Sequence, residues 1–252
     1  MKTVVACFSA TNKTKKVTEE VCKKIPYDLW IDLSIPTMHE SIILQPEDIC
    51  IVSIPSYGGR VPEVVIERLS YLQGNSTSAI LICTYGNRAY DDTLLELKNE
   101  MKKCGFIPKA AIAAIAQHSI MEEYATGRPN VKDCEQMQRF AEKIITQIST
   151  LGEVDVPGNY PYRAYNGIPL KPRTNKNCEG CGLCANICPV QAIPINHPEK
   201  TDTNICISCM RCIDSCPNHA RYLLSPLKKA ASLKLKAACS VDKENELFIK
   251  KL

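Results

Sequence analysis

The chain has 252 residues, 45% of them hydrophobic and 23% charged, enough to bury a real core and to form one or two domains. Balanced charge argues against wholesale disorder, and a net charge of +4 is too small to point to nucleic acid or an anionic membrane. The best apolar run, Ala110–Ala116, falls far short of the ~18 residues a membrane span needs, and Met1–Ala10 reads as a strand rather than a leader.

The first 150 residues alternate apolar runs with helical periodicity. The runs are Thr3–Phe8, Leu29–Leu33, Ile49–Ile54, Ala79–Thr84 and Ala110–Ala116. Helical patterns cover Lys13–Ile25, Pro62–Leu72, Asp91–Lys103 and Lys132–Ile148, and only the stretch from Leu33 to Asp48 looks irregular. Continuous apolar strands separated by helices predict a doubly wound α/β domain over residues 1–151, with a five-stranded parallel sheet covered on both faces. Ligands of such sheets bind beyond the carboxyl ends of the strands. That selects Ser9–Thr14, Pro55–Pro62, Tyr85–Asp92 and Gln117–Ile120.

Residues 152–177 are rich in proline and glycine, without periodicity, and read as a linker or a surface-draped segment. Residues 178–220 form a compact cysteine module of the α+β kind. Residues 221–252 read as a basic tail, with a short helix over Ser225–Leu235. Residues 1–151 carry 17 basic and 18 acidic side chains, net −1, and residues 152–252 carry 14 and 9, net +5. The excess lysines flank the cysteine module. They read as solvated side chains, with a docking patch for an acidic partner as the alternative.

Eight of the fifteen cysteines lie between Cys178 and Cys216. Without a leader the chain is expected in the cytoplasm, where thiols stay reduced and clustered cysteines mean metal or redox chemistry. Cys178-x2-Cys181-x2-Cys184-x3-Cys188-Pro189 is followed at a 28-residue period by Cys206-x2-Cys209-x2-Cys212-x3-Cys216-Pro217. In such runs the three closely spaced thiolates wrap one [4Fe–4S] cluster and the fourth reaches the other. One quartet is therefore Cys178, Cys181, Cys184 and Cys216, and the second Cys206, Cys209, Cys212 and Cys188. Zinc ribbons lack the third cysteine at this spacing. Gly180 and Gly182 let backbone N–H groups approach cluster sulfurs, and Ile187, Val190, Ile193, Ile205, Ile207 and Ile213 are placed to shield the clusters from water. The module resembles a bacterial-type ferredoxin, which implies a pseudo-twofold fold over about 170–225 and single-electron transfer.

In the α/β domain, Ser9-Ala10-Thr11-Asn12-Lys13-Thr14 puts three hydroxyls at a strand-to-helix turn, where they serve as caps or cradle a phosphate. The segment resembles the phosphate loop of flavodoxins, Ser/Thr-x-Thr-Gly-x-Thr, with Asn12 where glycine is usual. Pro55, Ser56, Tyr57, Gly58 and Gly59 follow the third strand. Tyr85, Gly86, Asn87, Arg88, Tyr90 and Asp91 follow the fourth. These loops read either as simple turns or as the bed of a flavin ring. In the second reading Tyr57 and Tyr90 offer stacking faces and Arg88 a charge for the reduced ring. His118, after the fifth strand, reads as a structural histidine or, with Arg128, as a contact to the flavin face.

Together these motifs resemble the flavodoxin–ferredoxin fusion proteins of anaerobic bacteria and archaea. The resemblance covers the chain except its tail. It implies FMN, two [4Fe–4S] clusters and electron transfer with redox partner proteins, either ferredoxin-type donors or an oxidoreductase. A homodimer is compatible with it. The alternatives are a flavin-dependent reductase of a small substrate (a quinone, nitro compound, ferric complex or disulfide) and an interaction protein whose flavin site has decayed. Neither GxGxxG after the first strand nor GxxxxGK[ST] is present, so no dinucleotide or nucleotide-hydrolysis site is indicated. Cys7, Cys50 and Cys83 fall in strands as small core hydrophobes, and Cys239 reads as an exposed tail residue.

Overall fold

The computed structural model describes residues 1–36 and 41–251. In chain order they form β1 (Thr3–Cys7), α1 (Lys13–Cys22), β2 (Leu29–Asp32), β3 (Ile42–Leu44), β4 (Ile49–Pro55), α2 (Glu63–Leu69), β5 (Leu72–Gly74), β6 (Thr77–Tyr85), α3 (Thr93–Lys103), β7 (Phe106–Ile115) and α4 (Val131–Ile145). The second half adds β8 (Arg173–Thr174), α5 (Leu183–Asn186), α6 (Arg211–Asp214), β9 (Arg221–Tyr222), α7 (Ser225–Cys239) and β10 (Glu246–Ile249).

The main sheet runs β10-β7-β6-β4-β1-β2. β2, β1, β4, β6 and β7 are the five expected strands, paired in parallel. Numbered among themselves they run 2-1-3-4-5, the doubly wound order of flavodoxin. Strand residues alternate between two cores. Val4, Ala6 and Phe8 face α2 and α3 through Val64, Val65, Leu69, Leu94, Leu97 and Met101. Val5 and Cys7 face α1 and α4 through Val17, Val21, Met137, Ala141 and Ile144. Each helix presents one apolar stripe, and the two pairs cover the two faces. Cys7, Cys50 and Cys83 are buried in these cores, and burial pushes the Cys7 and Cys50 thiols up to about 12.

The tail is where the structure departs from expectation. β10 pairs antiparallel with β7, Glu246 opposite Ala113 and Ile249 opposite Ala110, so the tail supplies a sixth strand. α7 extends to Cys239, which is buried rather than exposed. The irregular stretch after Leu33 holds β3, paired in parallel with β5 in a small second sheet, while residues 37–40 lie outside the described set.

The tail is fastened around Asp133. Its carboxylate accepts from Arg128 Nε (2.9 Å), Asn130 N (2.8 Å) and Asn245 Nδ2 (2.8 Å), and the Asn245 side-chain oxygen accepts from Ile115 N (2.8 Å). Arg128 also donates to the Lys243 carbonyl at 2.7 Å. Asn130 and Asp133 close a reciprocal cap on α4. The strap over 152–177 is pinned too: Asn159 N and Arg163 N both donate to the Asp92 carboxylate at 2.7 Å, and Arg60 Nη1 donates to the Arg163 carbonyl at 2.8 Å.

Candidate functional site

A cleft opens at the carboxyl ends of the parallel strands. Ala10, Thr11, Lys13, Thr14, Pro55, Ser56, Tyr57, Gly58, Tyr85, Gly86 and His118 line it, eleven of the eighteen residues selected from the α/β domain. Ile168 from the strap and Ile207 and Ser208 from the cysteine module close one side.

The turn before α1 presents backbone donors without protein partners among the described residues. Asn12 takes a left-handed backbone (φ 56°), so the turn expected of glycine forms with asparagine, among the most tolerant non-glycine residues. Ser9 Oγ accepts from Lys15 N (3.0 Å) and so caps α1 without facing the cleft. Thr14 is buried, its hydroxyl 2.7 Å from that of Thr84. Among the described residues, the N–H groups of Thr11, Asn12, Lys13 and Thr14 have no protein acceptor. Across the cleft, a Cβ on Gly58 would stand 2.4 Å from the Tyr165 ring, and one on Gly86 2.6 Å from the His118 side chain. The Tyr165 ring and the His118 side chain therefore pack directly on the two glycine backbones, where a side chain would displace them.

His118 Nδ1 accepts from Ile120 N and Met121 N, both at 3.1 Å, which leaves the proton on Nε2. Burial lowers its pKa to about 4, with Glu123 pulling upward and Arg88 and Lys228 pushing down. The ring is thus a neutral N–H donor at ordinary pH. A histidine whose folded pKa lies below its unfolded ~6.5 weakens the fold as pH falls between those values, because the unfolded chain then binds more protons. An NMR titration is expected to find the His118 midpoint near 4 and no change between pH 6 and 8.

The remaining selected residues point elsewhere. Asn87 is buried, and its side chain binds the tail: Nδ2 donates to the Cys239 and Val241 carbonyls (3.1 and 3.0 Å), and Oδ1 accepts from Lys243 N (3.0 Å). Arg88 pairs with Asp91, which also meets Arg163, so neither is free to serve a ring. Tyr90 packs edge-on against Tyr85, centroids 5.0 Å apart, and donates to Glu246 at 2.8 Å. Gly59, at φ 86°, carries the turn against Asp91 and lies outside the cleft lining. Arg128 is committed to Asp133. Four of these side chains are held by the tail or the strap, partners far away in sequence, so position after a strand did not predict their use.

The eight module cysteines converge as two quartets. Cys178, Cys181, Cys184 and Cys216 line one small cavity, and Cys188, Cys206, Cys209 and Cys212 another. Among the described residues, no three His, Cys, Asp or Glu side chains close on a single ion, whereas a cubane keeps its four thiolates apart on its corners. The 28-residue repeat extends to the backbone. α5 and α6 are offset by 28 positions, as are the left-handed residues Gly180 and Ser208, Gly182 and Met210, and Gln191 and His219. Cys188 Sγ accepts from Ala192 N and Cys216 Sγ from Ala220 N, each at 3.3 Å. Burial works against the Cys216 thiolate, but the N–H groups of Ala220, Arg221 and Asn218 outweigh it and hold the thiol below its usual range. Val190, Ile193 and Ile213 pack around the quartets as expected, whereas Ile205 is 48% exposed.

Residues 177–220 match the family model of the 4Fe-4S dicluster domain. The Escherichia coli (strain K12) protein YccM, named as a candidate electron transport protein, is 38% identical over 80 residues. The match covers 29% of this chain and only 22% of YccM. Among solved structures, a Streptococcus pneumonia TIGR4 flavodoxin is 15% identical, covering 57% of this chain and 98% of its own (TM-score 0.41). An azoreductase from Bacillus anthracis str. Sterne is 8% identical, covering 57% of this chain and 100% of its own (TM-score 0.41). At these scores the fold assignment rests on the strand order rather than on the likenesses. The chain therefore joins a flavodoxin-like α/β domain to a 4Fe-4S dicluster domain, the composition of a flavodoxin–ferredoxin fusion protein.

Proposed function

We propose that this chain is an electron-transfer iron–sulfur flavoprotein that holds FMN in the cleft and two [4Fe–4S] clusters on the two cysteine quartets. The observation that carries the reading is the cleft itself, where the anion-ready turn, the close-approach glycines and the cysteine module meet. When bound, the clusters exchange single electrons and the flavin one or two, so the chain couples one-electron carriers to a flavin. The N–H groups of residues 11–14 and the Thr11 hydroxyl would hold the phosphate, while Tyr57 and Gly58 on one side and Gly86 and His118 on the other would bracket the ring. Because Ile168, Ile207 and Ser208 close one side, the cleft fits a carrier better than a reductase that must admit a small substrate.

The partners in this reading are redox proteins, ferredoxin-type donors or an oxidoreductase. No described helix is long and apolar enough to cross a membrane. Free cysteine ligands, Cys181 among them exposed, suit the reducing conditions of a cytoplasm.

Protein purified without oxygen is expected to carry about eight irons and one FMN. Iron without flavin, even after FMN is supplied, would overturn the assignment of the cleft. Thr11→Ala removes one hydroxyl facing a charged group, a contact worth about 1.5–3 kcal/mol, so FMN affinity is expected to fall roughly tenfold or more, read by flavin fluorescence.

A further inference from the structure

We infer that the two cysteine quartets are not interchangeable: the Cys188/Cys206/Cys209/Cys212 quartet adjoins the flavin cleft, and the Cys178/Cys181/Cys184/Cys216 quartet is the outward terminal. The inference rests on the flavin reading of the cleft and adds an order to it. Ile207 lines both the cleft and the Cys188/Cys206/Cys209/Cys212 cavity, so one residue forms the wall between them. Cys209, Ile207 and Val190 pack into the same apolar cluster as Tyr57 and Phe8 of the α/β domain. Around this quartet, Arg68 Nη2 donates to the Pro189 carbonyl at 2.5 Å and Arg211 meets Ser34. The other cavity shares no lining residue with the cleft and includes Cys181, the one exposed thiol of the eight.

The internal repeat sharpens the contrast, because equivalent positions share a backbone and differ in side chain. Ile207 corresponds to Glu179, which is exposed beside the outer quartet. Ser208 corresponds to Gly180. Both take a left-handed backbone, yet Ser208 is buried, lines the cleft and donates to the Ile168 carbonyl at 3.0 Å, whereas a Cβ on Gly180 would meet nothing within 4 Å. Met210 corresponds to Gly182 and is buried with Ile120, Met121 and Leu170. Left-handed angles strain non-glycine residues, so at these two positions the second repeat accepts that strain where the first uses glycine, whereas Gln191 and His219 carry it in both repeats. Where the repeats differ, Met210 packs against Ile120 and Met121 of the α/β domain and Ser208 lines the cleft, which ties the asymmetry to the interface.

The test compares equivalent positions in the full, cofactor-loaded chain: Ile207→Asn, Ser208→Gly and Glu179→Asn, read by visible absorption of the flavin and by anaerobic redox titration of the clusters. Ser208→Gly keeps the repeat's own backbone and so guards against an Ile207→Asn protein that fails to fold. Ile207→Asn and Ser208→Gly are expected to shift the flavin bands and one cluster's potential. Glu179→Asn is expected to shift the other cluster's potential and leave the flavin bands in place. A flavin shift with Glu179→Asn, or none with Ser208→Gly, would overturn the order while leaving the proposed function standing. Wild-type protein that binds iron but no flavin would overturn both.

Discussion

Stripping iron from this protein with a chelator is expected to unfold residues 170–224 and leave the α/β domain intact. Within itself the cysteine module has little else to hold it. Its sheet pairs two residues with two, its helices span four residues each, and its buried cluster comprises Ala185, Cys188, Ala192, Ile193 and Cys212, two of them cluster cysteines. A segment of that size lacks the apolar burial to offset chain entropy, so metal-binding energy becomes its folding energy. The α/β domain buries two extensive cores that contain no cluster ligand other than Cys209. Limited proteolysis of the iron-free chain is expected to cut within 175–220 and to leave a resistant N-terminal fragment. A module that stayed protease-resistant without iron would refute this account.

Asp133→Ala is expected to destabilise the α/β domain by about 3–5 kcal/mol, because it leaves the Arg128 guanidinium largely buried without its counter-charge. For a chain of this size that corresponds to a fall in Tm of roughly 6–20 °C. The same carboxylate caps α4 and holds Asn245, so the variant also frees the tail, and Asn87 and Tyr90 lose the partners on which their orientation depends. Asp133→Asn, which keeps the shape and one acceptor, is expected to lose less. The pH dependence follows from the carboxyl's environment. Burial alone would raise its pKa, but hydrogen bonds from Arg128, Asn130 and Asn245 outweigh that and hold it below the usual carboxylate range. A depressed folded pKa contributes stability that is fully present above the unfolded value near 3.9 and fades as pH falls through the folded value. The gap in Tm between wild type and Asp133→Ala should therefore be constant from pH 5 to 8 and narrow below about pH 4.

The five parallel strands, the four helices that cover them and the cysteine quartets were legible because each rests on local or periodic signal. Apolar runs such as Ile49–Ile54 are marked by their own composition, and the 28-residue repeat marks equivalent backbone without any knowledge of the fold. The fates of Asn87, Arg88 and Tyr90 were not legible. Their partners are Cys239, Val241, Lys243, Asp91 and Glu246, mostly in a tail whose strand offers only the short apolar run Leu247–Ile249. Four residues give too little alternation to announce a strand, and an antiparallel partner 133 positions earlier (246 against 113) leaves no periodic trace. The left-handed Ser208 and Met210 were hidden for a different reason, since glycine flags such positions in the first repeat and ordinary side chains conceal them in the second.

The placement of β10 sets the order in which the molecule can be completed during synthesis. A chain emerging from the ribosome presents β7 long before β10, and folding proceeds largely from the N-terminus. Until β10 appears, one margin of β7 is an open template for strand pairing, the kind of surface that recruits other chains. The cysteine segment is therefore made while the α/β sheet is still missing β10. Closing that margin reports that the intervening cysteine segment has been made in full.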